Sequence, residues 1–149
     1  EIVKCIPDGG YAWHLGRNGF QEMHTNSVGI EVCNFGYLKD GKTYAGHNVH
    51  PDHCVELAKE FKGYKNWHRY SDVQIESLRK LILFIADRDN IDVREGLPAL
   101  IKEKGADAFE WNEKAYYGQV RGLLSHSNTN KGKSDMFPQE ELLTMLTEL

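Results

Sequence analysis

Residues 70–89 read YSDVQIESLRKLILFIADRD and carry the clearest structural signal in the chain. Ser71 and Gln74 form a capping-box pattern, in which each side chain can accept a hydrogen bond from the other residue's backbone N–H. The apolar residues that follow recur at helical spacing; they are Ile75, Leu78, Leu81, Ile82 and Ile85. The stretch therefore predicts an amphipathic helix over Asp72–Asp89, with its apolar face packed against the rest of the domain.

Three short segments outside this helix have the composition of β-strands. Residues 1–6 (EIVKCI) alternate charged and apolar side chains, and residues 27–34 (SVGIEVCN) are rich in β-branched side chains. Residues 120–124 (VRGLL) are a third strand candidate, and they lead directly into Ser125 and His126. We expect all three segments to be strands.

The rest of the chain gives weaker signals. Residues 34–68 are rich in Gly, His and Tyr and have no clear period, which predicts a long surface excursion with a short helix around residues 54–61. Residues 98–104 predict a second short helix that Gly105 closes. A terminal helix is predicted over residues 139–149, and its inner face consists of Leu142, Leu143 and Leu146.

The composition describes one ordinary globular domain, residues 1–149, with 40% apolar and 27% charged residues. A net charge of −4 argues against a nucleic-acid binder, which normally concentrates basic residues on one face. The three cysteines form no CxxC pair, so reduced thiols are favoured over a disulfide framework. No apolar run is long enough to insert into a bilayer.

The polar loop after His126 contains the candidate chemistry. Asp135 lies on this loop, and Lys133 precedes it by two positions. A histidine and a carboxylate on a returning loop can bind one zinc ion, and a catalytic zinc site has three protein ligands and one open position. The spacing by itself also fits a surface loop with a capping aspartate and a solvated lysine.

Four segments, taken in order, resemble the type 2 amidase family of zinc-dependent N-acetylmuramoyl-L-alanine amidases. This family includes phage amidase-lysozymes, bacterial muropeptide amidases and peptidoglycan recognition proteins. The segments are YAWHLG (11–16), NSVGIEVCN (26–34), YSDVQIESLRKLI (70–82) and SHSNTNKGKSDMFP (125–138). The resemblance implies an α/β fold in which helices flank a mixed central β-sheet, and it covers nearly the whole chain.

The resemblance implies a zinc ion as cofactor. His126 matches the second zinc ligand of the family and Asp135 matches the third. The family's first ligand is a histidine at the end of an N-terminal strand, which a helix follows, and no equivalent is found from Glu1 onward. We therefore expect this chain to begin after that ligand, to lack the N-terminal strand and helix, and to bind zinc weakly by itself. The loop also reads KSDMFP where many members have Pro-Gly after the aspartate.

Other roles also follow from the resemblance. Lys133 matches a lysine that stabilises charge on the scissile carbonyl, and Glu31 matches an acid near the zinc-bound water. Strict strand alternation places Glu31 beside Gly29, and a catalytic role would explain why a strand face keeps a buried acid. The segment that lines the substrate cleft carries Trp13 and His14, although His14 equally fits a histidine that is hydrogen-bonded within a turn.

The histidines of GHNVHPDHC, which are His47, His50 and His53, also suggest a metal site. Nothing in the family pattern places them at the zinc, so a solvated loop is favoured.

The function implied by the resemblance is hydrolysis, by a zinc-activated water, of the amide bond between N-acetylmuramic acid and L-alanine of the stem peptide. The partner is peptidoglycan or a muropeptide, with no nucleic acid and no membrane insertion, and the protein acts as a phage-type endolysin or a secreted or periplasmic amidase. The alternative is a non-catalytic peptidoglycan-binding module of the same fold that has lost its metal. Retention of Glu31, His126, Lys133 and Asp135 together favours the enzyme.

Overall fold

The computed structural model describes residues 1–149 and combines helices with a small antiparallel sheet. The elements in chain order are α1 (Gln21–Thr25), a 3-10 turn (Pro51–His53), β1 (Cys54–Phe61), β2 (Tyr64–His68), α2 (Asp72–Asp89), α3 (Leu97–Lys104), a second 3-10 turn (Gly105–Phe109), α4 (Glu113–Tyr116), α5 (His126–Thr129) and α6 (Glu140–Thr147). No helix has the length and apolarity that crossing a membrane requires.

Helix α2 begins and ends as its sequence predicts. The N–H of Ser71 donates to Gln74 Oε1 at 3.0 Å, and the N–H of Gln74 donates to Ser71 Oγ at 3.3 Å, which completes the capping box. The buried residues of the helix are Ile75, Leu78, Ile82 and Ala86. Asn90 ends the helix in the left-handed conformation. The helices predicted at residues 98–104 and 139–149 are likewise confirmed, as α3 and α6.

The sheet consists of β1 and β2, which pair antiparallel through partners such as Val55 and Trp67. The helix predicted around residues 54–61 is therefore wrong, because β1 occupies those residues. Lys62 and Gly63 both have positive φ, of 51° and 81°, as the tight turns of two-residue hairpins require. Pairing with β2 across this turn stabilises the extended backbone of residues 54–61. The sequence of residues 54–61 by itself does not reveal that partner.

The three predicted strands form no ladder, so the expected mixed central sheet is wrong. Residues 1–6 are exposed throughout and form no backbone pairing with another segment. Residues 27–34 keep the alternation only in part: Ile30 and Val32 pack against the core while Glu31 is exposed, but Val28, on the same face by alternation, is 47% exposed. Alternating side chains determine which face is buried, but a strand also needs a neighbouring backbone to bond, and these residues have none in the sheet.

The segment of residues 120–124 makes a single parallel bridge, between Leu123 and Gly96. The N–H of Leu97 donates to the carbonyl of Leu123 at 2.7 Å. A Cβ at Gly96, where φ is +73°, would lie 2.2 Å from that carbonyl oxygen. Only glycine therefore permits this close approach of the two backbones.

Phe137 is the centre of the core. Its ring stacks between Trp67 and Tyr70, with centroid distances of 4.6 Å to each, and it is 1% exposed. Two residues later, the fully buried Gln139 accepts from the N–H of Tyr70 at 2.7 Å and donates to its carbonyl at 3.0 Å. These contacts fix the chain before α6 onto the junction between β2 and α2.

We predict that Phe137→Ala lowers the free energy of unfolding by about 3–5 kcal/mol, because it leaves a cavity between two aromatic rings. The matched control is Phe84→Ala on α2, whose side chain is 65% exposed. This control changes stability by no more than about 0.5 kcal/mol. Urea unfolding followed by circular dichroism measures both variants, and equal losses in the two would contradict the position of Phe137 in the core.

Candidate functional site

Helix α5 begins at His126, one of the two candidate zinc ligands. Ser125 caps it: its N–H donates to Asn128 Oδ1 at 3.0 Å, and the N–H of Asn128 donates back to Ser125 Oγ at 3.3 Å. The predicted strand before His126 is thus reduced to the single bridge at Leu123, which a capped helix start follows. The signal for this start was present in the sequence as Ser-x-x-Asn, a variant of the capping box with a shorter amide.

A buried polar network anchors α5 to the 3-10 turn at residues 105–109. Asn128 Nδ2 donates to the carbonyls of Ala108 and Glu110, both at 2.8 Å. Ser127 Oγ donates to the carbonyl of Phe109 at 2.7 Å. Asn128 and Ser127 are both fully buried, so breaking any of these bonds would leave a polar group unpaired in the core. The network therefore fixes the position of the backbone at His126, and sequence reasoning missed these residues.

The structure brings His126 and Asp135 together. His126 Nδ1 lies 2.9 Å from Asp135 Oδ2, and the N–H of Ser127 donates to the Asp135 carbonyl at 3.2 Å. The His126 side chain is 16% exposed and that of Asp135 is 55% exposed. His126 Nε2 is buried and has no hydrogen-bond partner. The loop thus returns to His126 as the sequence predicts, and it leaves one imidazole nitrogen without a bond.

Electrostatics favour the ionised form of Asp135. The hydrogen bond with His126 lowers the pKa of this carboxyl, with smaller contributions from the charges of His126 and Lys133, whereas burial opposes the shift. Lys133 is half-buried, and its N–H donates to the Asn130 carbonyl at 3.1 Å within a tight turn. Lys133 therefore acts on Asp135 electrostatically from a backbone position that the turn fixes.

Glu31 is exposed, so the expected buried acid is wrong. It lies on the solvent side of a segment whose alternate residues face the core, and solvation removes the energetic cost that burial would impose. Val32 follows Glu31 in the chain, and Met136 follows Asp135. Both Val32 and Met136 line the same narrow crevice along α2. The chain segments that carry Glu31 and Asp135 therefore run beside the same part of the helix.

His14 and Trp13 make their contacts within residues 11–29. The two ring nitrogens of His14 lie 2.9 Å from the Ala12 carbonyl and 2.8 Å from Ser27 Oγ. A Cβ on Gly29 would lie 2.9 Å from the His14 ring, so this glycine allows the ring to pack closely. Trp13 is 57% exposed and packs on His24 at a centroid distance of 4.6 Å. Both ring nitrogens of His14 thus have partners within the chain, and the place of His14 and Trp13 in a substrate cleft stays a prediction.

His126 and Asp135 fit zinc by the chemistry of their donors, since zinc accepts imidazole nitrogen and carboxylate oxygen. Asp135 Oδ2 lies on the Nδ1 side of the ring, so Nδ1 is the nitrogen that could share a zinc ion with this carboxylate. No group of three or more His, Cys, Asp or Glu residues is arranged to hold a metal ion, however. His50 and His53, whose rings lie 6.2 Å apart, are exposed. The chain therefore brings together two side chains whose donor atoms suit zinc, and not three.

Comparison with known proteins gives one match. Neither a curated protein sequence nor a solved structure matches the chain. A family model described as N-acetylmuramoyl-L-alanine amidase matches residues 1–136, a region that contains Glu31, His126, Lys133 and Asp135. Because this match covers most of the 149 residues, the chain belongs to the type 2 N-acetylmuramoyl-L-alanine amidase family.

Proposed function

We propose that this domain hydrolyses the amide bond between N-acetylmuramic acid and L-alanine of the stem peptide, in peptidoglycan or in a soluble muropeptide. The observation that carries the proposal is the 2.9 Å contact between His126 Nδ1 and Asp135 Oδ2. Membership of the family supports a function of the peptidoglycan-amidase type and, with it, a peptidoglycan substrate. The resemblance of the four sequence segments supports the choice of bond.

His126 and Asp135 would be two ligands of a catalytic zinc ion. When bound, zinc would supply Lewis-acid activation of water and of the scissile carbonyl at neutral pH. The lowered pKa of Asp135 keeps its carboxylate ionised and thus able to bind a cation. The anchored start of α5 presents His126 from a rigid backbone, which limits the entropy lost when a ligand binds.

Lys133 and Glu31 would act on the reacting groups. Lys133 would stabilise the negative charge that develops on the carbonyl oxygen as the amide carbon becomes tetrahedral. Glu31 would accept a proton from the attacking water and return a proton to the leaving amine. Solvent exposure of Glu31 means that bound substrate must cover it for the proton transfer to be efficient.

The alternative function is a peptidoglycan-binding module that does not use a metal. The observation in its favour is that only two residues with suitable donor atoms lie together, where a catalytic zinc site normally has three protein ligands. Retention of His126 and Asp135 together with Lys133 and Glu31 favours the hydrolase, because a binding module needs no such set. Release of the peptide from a muramyl peptide distinguishes the two functions directly.

We predict that Glu31→Ala and Lys133→Ala each lower the turnover of a muramyl dipeptide by about a hundredfold, because each removes a group that acts on the reaction. Zinc content remains equal to that of the unmodified chain, since neither residue is a ligand in this proposal. Glu22→Ala and Lys102→Ala are matched controls at exposed positions and retain full activity. Loss of zinc from the Glu31 or Lys133 variant would show that the residue is a ligand instead.

We further predict weak zinc binding that depends on His126 and Asp135. Calorimetric titration of this chain should give a weak one-to-one complex, because two protein ligands leave more coordination positions to water than three. His126→Ala and Asp135→Asn abolish the binding heat, whereas His47→Ala, at an exposed position, leaves it unchanged. Tight binding with ordinary amidase activity would contradict the two-ligand account, and His14 and then residues 47–53 would be tested as the third ligand.

A further inference from the structure

A second concavity, with a volume of about 500 Å³, lies beside the candidate loop. Residues 129–132 of that loop form one wall, and the chain from Trp111 through α4 forms the other. We call this concavity the aromatic cleft. The residues that line it include Asn18, Trp111, Glu113, Tyr116, Tyr117 and Lys131.

The aromatic rings of the cleft are held in place by their packing. Tyr116 and Tyr117 meet edge to face at a centroid distance of 4.9 Å. The ring of Phe20 packs on both, with centroid distances of 6.3 Å to Tyr116 and 5.7 Å to Tyr117. Asn112 caps α4 by accepting from two backbone N–H groups at 3.0 and 3.3 Å. Tyr117 remains 48% exposed, so a fixed aromatic surface faces the solvent.

Trp111 adds a second aromatic surface, which a lysine covers in the free protein. Lys131 Nζ lies 4.0 Å from the centroid of the Trp111 ring. An exposed cation–π contact is weak, so a ligand that packs on the indole can displace the lysine. Glu113 and Lys131 bring one charge of each sign to the cleft, which favours an uncharged ligand.

The aromatic cleft and the candidate site share one turn of the chain. Thr129 Oγ1 donates to the His126 carbonyl at 3.0 Å, and the N–H of Asn130 donates to the same carbonyl at 3.0 Å. The N–H of Lys133 donates in turn to the Asn130 carbonyl. A ligand in the cleft is therefore adjacent to the loop that carries His126 and Lys133.

We propose that the aromatic cleft binds the N-acetylated sugar rings of a glycan strand. Aromatic faces pack against the apolar face of a pyranose ring, while side chains such as Asn18 and Glu113 can bond its hydroxyl and acetamido groups. The inference rests on the proposed function, because the amide bond assigned to the candidate site is attached to such a sugar. It adds a subsite that positions the glycan while the peptide lies at His126 and Asp135.

The probe is the β-1,4-linked trimer of N-acetylglucosamine, which carries no peptide and no amide bond of the proposed kind. Its binding is followed by the three indole N–H resonances of the chain. We expect the resonance of Trp111, assigned from Trp111→Phe, to shift on titration. The resonance of Trp67 should not move, because its indole is 1% exposed and donates to the Tyr64 carbonyl. A shift at Trp13 instead of Trp111 would overturn the proposal.

Substitution tests the same inference without relying on Trp111. Tyr117→Ala should weaken trimer binding by about tenfold, as expected when a stacking partner is lost. Tyr44→Ala is the matched control, since this tyrosine is 81% exposed and lies outside the cleft, and it should bind as the unmodified chain does. If Tyr117→Ala and the unmodified chain bind the trimer with equal affinity, the proposal that the aromatic cleft binds sugar rings is overturned.

The two proposals fail separately. Trimer binding requires neither a metal ion nor His126, so a chain that binds the trimer at Trp111 but cleaves no muramyl peptide would support the cleft and contradict the hydrolase. A chain that cleaves muramyl peptide but shows no trimer binding would overturn the cleft alone.

Discussion

The side-chain amide of Gln139 bonds both backbone groups of Tyr70, and the rest of the structure depends on this clamp. Both residues are buried, and losing the clamp would leave two backbone groups unpaired, each at a cost of about 1–3 kcal/mol. The clamp joins residues far apart in the chain, at the junction of β2 and α2 on one side and before α6 on the other. Together with the stacked ring of Phe137, it holds the end of the candidate loop against the core.

The sequence determines the helices of this fold more clearly than its strands. A helix forms its hydrogen bonds within one segment, so the capping box and apolar spacing of residues 70–89 were sufficient to predict α2. A strand needs a second segment, and alternation in residues 27–34 correctly placed Ile30 and Val32 on one face without indicating any partner. The hairpin of β1 and β2 was missed because its turn, Lys62–Gly63, lies in a stretch with no clear period.

The candidate site was predicted in part. The approach of Asp135 to His126 followed from the loop between them and from the family resemblance, and the structure confirms that the two side chains meet. The exposure of Glu31 was not predicted, because a segment's alternation does not reveal which of its faces meets water. The network around Asn128 was not anticipated either, since its partners are backbone carbonyls of a distant 3-10 turn that no local pattern indicates. How these residues support His126 could therefore be seen only in three dimensions.

The order of the core elements along the chain has a consequence for biosynthesis. The hairpin runs directly into α2, so the surface formed by Trp67 and Tyr70 is made of residues that are neighbours in sequence and can fold early. Phe137, which completes this surface, leaves the ribosome much later. The loop with His126 and Asp135 is therefore fixed only after Phe137 has emerged. With the proposed function, nascent chains remain inactive toward the cell wall until the segment around Phe137 has been translated.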